Sequence, residues 1–162
     1  MKRRAVVGGC LALTLSASGC ATATDGPLRF EDHGLDYCAS TDDGGEGFGV
    51  GIPLDHEAGT PITIGRISSS ESDGVRIVGA VVVKVRENRI GTTSWPVPES
   101  YGGAVVADGT AIPSDEQYDL VVHAESSGPS GGTAGAVTIE YTQGGRQYIA
   151  DTYTTVRMKR RC

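Results

Sequence analysis

The sequence predicts an all-β fold, an Ig-like antiparallel β-sandwich of about seven strands. Three observations lead to it. Glycine supplies 24 of 162 residues, and no window keeps apolar residues at helical spacing over three turns. Apolar–polar alternation recurs instead, the signature of half-buried strands. Turns rich in Gly, Pro, Asp and Ser separate runs of strand length, as sandwich folds require.

The strands follow in chain order from Leu35 onward. A weak one is expected near Phe48–Leu54, and Ile62-Thr63-Ile64 with Ile67 marks the next. Val75 to Arg86 alternates most clearly, with Val75, Ile77, Gly79, Val81, Val83 and Val85 assigned to the core face. A second weak strand is expected near Ala104–Ala107. Tyr118 to Glu125 should place Tyr118, Leu120, Val122 and Ala124 inward, with Asp119, Val121, His123 and Glu125 outward. Val137, Ile139 and Tyr141 begin another inward face. Gln143-Gly144-Gly145-Arg146 then reads as a tight hairpin, because two-residue hairpin turns need positive φ. The partner strand, Gln147 to Met158, ends with Val156 and Met158 inward. Arg157 and Lys159 face outward, as charges that would protect an edge strand. The antibody-type Cys…Trp…Cys pattern is missing, so the likeness to Ig domains is one of architecture.

The N-terminus carries a different signal. Lys2, Arg3 and Arg4 precede an apolar run, Ala5 to Leu15, and Ala17-Ser18-Gly19 leads into Cys20. This is the layout of a secretory signal peptide, and it resembles a bacterial lipoprotein signal. In that family's lipobox Leu is commonest three residues before the cysteine; here Ala17 stands there, while Gly19 just before the cysteine is typical. Val7-Gly8-Gly9-Cys10 fits a looser version but leaves almost no apolar run ahead of it. The resemblance implies cleavage after Gly19 and a diacylglyceryl group on the Cys20 sulfur. The lipid bilayer is then a partner, and the protein is extracytoplasmic, held to the cell membrane by lipid. One acyl chain binds a membrane only marginally, whereas two anchor it stably. The alternatives are an uncleaved membrane anchor, for which so short an apolar run falls short of the roughly 20 residues needed, and plain secretion. Together with the β pattern, the signal makes the chain similar to small Gly-rich actinobacterial lipoproteins of unknown function. Three regions are therefore expected: a signal peptide at 1–19, lipidated Cys20 with a flexible tether at 20–34, and a β-sandwich domain at 35–162.

Charge and cysteine content narrow the function. Of 14 basic residues, three lie in the signal, leaving 11 against 20 acidic ones and a net charge near −9. That balance excludes nucleic acid as a partner, since phosphate binding depends on basic patches. With Cys10 removed and Cys20 lipidated, Cys38 and Cys162 remain, and an exported setting favours a disulfide between them. A thiol metal site or redox pair is the alternative, but no C-x-x-C is present.

No catalytic residues are assigned. Gly128-Pro129-Ser130-Gly131-Gly132 matches G-x-S-x-G, yet a strand follows where the nucleophile elbow needs a helix, and no histidine lies beyond His123. The same segment lacks the Lys-Ser/Thr of a phosphate-binding loop. Asp42-Asp43-Gly44-Gly45-Glu46 lacks the alternating ligands of an EF-hand and reads as an acidic turn. His33, His56 and His123 are scattered, so no metal and no cofactor is expected. The loop from Arg89 to Gly103 is the best candidate for binding. Trp95, Val97 and Tyr101 place apolar groups beside Pro96 and Pro98, which stiffen the backbone and suit recognition of an envelope protein or glycan. The competing reading folds Trp95 back as a lid on the sandwich edge. The expected role is thus a non-enzymatic binding or accessory module, with a small metal or ligand carrier at the outer membrane face as the alternative.

Overall fold

The computed structural model describes residues 22–30, 34–40, 47–56, 59–69 and 72–162. Its strands are β1 (Asp36–Ser40), β2 (Phe48–Pro53), β3 (Ile62–Ser69), β4 (Ser72–Asp73), β5 (Val75–Lys84), β6 (Thr92–Ser94), β7 (Ala104–Val106), β8 (Ala111–Ile112), β9 (Tyr118–Ser126), β10 (Gly132–Ala134), β11 (Val137–Gln143), β12 (Arg146–Asp151) and β13 (Thr155–Lys159). A single 3₁₀ turn, Glu99–Tyr101, is the only helical piece among the described residues. The fold is an all-β sandwich, as the sequence predicts.

One layer is the antiparallel sheet β6-β2-β9-β5-β7. The other comprises two sheets, β12-β11-β3-β8 and β1-β13-β10-β4, which meet end to end. The offset that pairs Val137 with Ser69 also pairs Ala134 with Ser72, so β3 and β4 face β11 and β10 in one register. On the other side of that pair the register shifts by one residue between β12 and β13. Tyr153, with φ of 55°, lies in this shift, an extra residue bending the strand. Counted across these bends, seven longer strands carry the sandwich, and β6, β7 and β8 are short additions at its edges.

The chain changes layers at Gly74, between β4 and β5. Its φ is 70°, and a Cβ there would stand 2.6 Å from the Gly131 carbonyl oxygen, so only glycine turns this corner without strain. Between the layers lies one core, built from Val50, Ile52, Leu120 and Val122 of the first and Ile62, Ile64, Val137, Ile139, Tyr141 and Val156 of the second. Burying so many aliphatic side chains is the main stabilising term.

Several expectations are corrected. In β5 the register slips between Ile77 and Gly79, leaving Val78 as an extra residue that is 43% exposed. A one-residue slip reverses the faces. Val75, Ile77, Ala80 and Val82 therefore meet the main core, while Val81 and Val83 join a second cluster on the outer face. The last strand is not an edge: β13 lies between β10 and β1, and its pairing with β1 is parallel. The tether expected over 20–34 lies, at 22–30, on the sandwich. Ala23 exchanges backbone bonds with Gln147 and Ile149 at 3.1 and 2.9 Å, and Leu28 is 5% exposed within the core. The Gly144–Gly145 hairpin joins β11 to β12 as expected, both glycines at positive φ.

Candidate binding groove

β9 is the centre of its sheet, and both its faces are covered. Leu120, Val122 and Ala124 face the main core. On the opposite face Asp119, Val121 and His123 are also buried, because the connection from β5 to β7 folds over them. Trp95, Val97 and Tyr101 all turn inward on this cover and pack against Val83, Ile90 and Val121. The binding loop expected from the sequence is thus gathered into a second small core, the lid alternative rather than a free loop. Trp95 nevertheless remains half-buried.

A carboxylate holds the cover down. Asp119, 1% exposed, accepts the Ile90 N–H at 2.7 Å and an Arg89 N–H at 2.9 Å. Arg89 gives its other hand to Asp55 at 2.6 Å. Burial pushes the Asp119 carboxyl above its ordinary value, and the two donors only partly oppose this. Arg89 is raised above its ordinary value by both carboxylates, although burial pulls the other way. Hydrogen bonds to a charged acceptor are stronger than neutral ones, so this is a firm attachment for a polar group that sequence alternation assigns to solvent.

Beside the cover a groove of about 1010 Å³ opens. Cys38, Ala39 and Ser40 of β1 line one wall and Thr92, Thr93 and Ser94 of β6 another; Phe48, Met158, Trp95, His123 and Glu125 also line it. The His123 ring lies flat against Trp95, with centroids 4.3 Å apart and planes within 9°. Its Nε2 is 3.7 Å from Glu125 Oε1, and Glu125 accepts from Arg76 at 3.0 Å. Gly47 passes directly over the imidazole: a Cβ there would come within 2.6 Å of His123 Nε2. Next to Cys38 in β1, Tyr37 bridges the layers, its hydroxyl donating to the Gly51 carbonyl at 3.2 Å.

The other residues singled out in the sequence fall as follows. Of the binding-loop residues, Trp95 lines the large groove, and Tyr101 lines a separate pocket of about 290 Å³ beside Val83 and Asp119. Cys38 and Cys162 form a disulfide with Cα atoms 5.8 Å apart. Cys20, His33 and the acidic run Asp42 to Glu46 lie outside the described residues. His56 is within 3.3 Å of the Pro113 carbonyl. Among the described residues no three His, Cys, Asp or Glu side chains gather as a metal site. The G-x-S-x-G segment forms the turn between β9 and β10 and leads into a strand. Sequence reasoning missed Phe48, His123, Glu125 and β6 as groove components. Only the position of His123 beside Trp95 in the fold reveals them, and no local motif marks it.

The chain matches no protein-family model, no curated protein and no solved structure.

Proposed function

We infer that this protein is an extracytoplasmic lipoprotein, held to the membrane through acylated Cys20, whose sandwich is a non-enzymatic binding module for an envelope protein or glycan. The observation that supports the binding part is the groove in which Trp95 is half-buried beside Phe48 and His123. A half-exposed aromatic on a fixed backbone gives contact area at low ordering cost. Asp119 supplies that fixity by attaching the cover to β9.

Two experiments test the two parts. Cys20→Ser should abolish lipid labelling and leave the precursor uncleaved or released; normal processing and membrane retention would refute the anchor. Trp95→Ala should reduce retention of the domain on isolated cell envelopes while preserving its far-ultraviolet spectrum. Equal retention of both proteins would remove the groove from the function.

A further inference from the structure

Two strand edges border the groove, and they differ. On β1 the Thr155 N–H donates to the Leu35 carbonyl at 2.8 Å. Alternate residues of a parallel strand bond the same neighbour, so Tyr37 and Ala39 serve β13 while Cys38 turns its backbone outward. Cys38 is also bridged to Cys162, and the Ser40 hydroxyl donates to the Arg160 carbonyl at 2.8 Å. The chain's own last residues therefore fold back against β1.

β6 is bordered by β2 on one side only among the described residues. The Gly51 N–H donates to the Gly91 carbonyl at 2.9 Å, and this bond sets the phase of the ladder. Opposed residues of an antiparallel pair alternate between exchanging both bonds and exchanging neither. Gly49 and Thr93 are the next bonded pair. Thr92 and Ser94, opposite Val50 and Phe48, consequently turn N–H and C=O away from β2. Both line the groove and both are exposed. Two donors and two acceptors thus stand at alternate positions, the spacing of an extended main chain.

We propose that the groove takes an extended peptide segment of a partner protein, added as a further strand to β6. This rests on the binding-module reading and names its ligand class. Main-chain bonds to Thr92 and Ser94 supply sequence-independent affinity, and alternate side chains of the segment reach opposite faces of the sheet. Those on the core side meet Phe48, and those on the outer side meet Trp95. Among the described residues no Lys or Arg lines the groove, whereas Glu125 does, so the segment is neutral or basic. A glycan would need an open aromatic face, and Trp95 has His123 stacked on one face and packs against the second cluster as well.

A randomised seven-residue peptide library, displayed on phage and selected on the full chain, provides the probe. Selected peptides should bind wild type and lose about tenfold or more in affinity on Ser94→Pro, which removes an outward N–H and obstructs the edge. The Gly49–Thr93 bonds stay intact in that variant. Should it fail to fold, N-methylation along a selected peptide gives the second measurement. Methyls at alternate positions abolish binding and those between are tolerated if a strand is added; equal tolerance throughout overturns the proposal. Selection of no binder overturns it, as does Trp95 emission that responds to envelope oligosaccharides and to no peptide. Peptides lost on Trp95→Ala but indifferent to Ser94→Pro and to methylation would refute strand addition and leave the binding groove standing.

Discussion

Asp119 is the side chain whose removal should say most about how the groove is held. In Asp119→Ala the Ile90 N–H, on a residue 4% exposed, loses its charged acceptor. A hydrogen bond to a charged group contributes about 1.5–3 kcal/mol. Arg89 is 30% exposed and keeps Asp55, so losing its second carboxylate adds only about 0.5–1 kcal/mol. The expected loss is about 2–4 kcal/mol, or roughly 7–14 °C in melting temperature for a domain of this size. Asp119→Asn retains an oxygen for the Ile90 N–H and escapes the burial penalty on charge, so it should cost less than half as much. The pH dependence separates the two further. Because burial raises the Asp119 carboxyl above 3.8, the folded state binds this proton more tightly than the unfolded state. Its contribution is full below the ordinary value and declines as pH rises through the raised one; Asn removes that decline. Urea unfolding followed by Trp95 emission, repeated across the acid range, measures all of this. An Ala variant within about 0.5 kcal/mol of wild type, or an Asn variant as damaging as Ala, would refute the attachment.

Replacing Cys38 and Cys162 by serine should lower stability by at most about 5 kcal/mol, the chain-entropy figure for a loop of 124 residues; an unchanged denaturation midpoint would contradict it. Gly74→Ala, forced to positive φ and against the Gly131 carbonyl, should cost more than about 1 kcal/mol, whereas Gly79→Ala, with open space around its Cβ, should not. The Tyr118 phenol donates to Glu116 at 2.6 Å and is pushed up to about 12, that bond being the largest cause. A spectrophotometric titration compared with Tyr118→Phe should show one phenol ionising there. Its stabilising contribution is complete below pH 10 and lost as pH rises through about 12. Dialysed protein should hold no stoichiometric copper or zinc, and one-to-one binding lost on histidine substitution would restore the carrier reading.

The strands were legible because burial on one face writes itself into alternation, as in Val137, Ile139 and Tyr141, all buried. That rule fails where its premise fails. Val78 adds one residue to β5, and no residue type announces a bulge, so the faces reverse beyond it. β9 is covered on both sides, which makes Asp119 and His123 interior while their spacing still assigns them outward. The parallel pairing of β1 with β13 joins opposite ends of the domain, a relation that local sequence does not encode. Cys38 and Cys162 did encode it in part, since the bridge requires those ends to meet. The binding loop was recognisable from its aromatic and proline content, but its landing place was not. Trp95 had to be seen against His123 before the groove could be drawn.

The Cys38–Cys162 bridge also governs how the molecule bears load. Everything from Cys38 to Cys162 forms a covalent ring, so tension between Cys162 and the chain ahead of Cys38 passes through one sulfur–sulfur bond once the leading segment, held by the Ala23 bonds to Gln147 and Ile149, has peeled away. Unravelled, 124 residues would lengthen the chain by roughly 400 Å; with the ring closed that slack cannot be drawn out. Pulled by its ends, the oxidised protein should lengthen only by the segment ahead of Cys38, and the reduced one should pay out its whole sandwich.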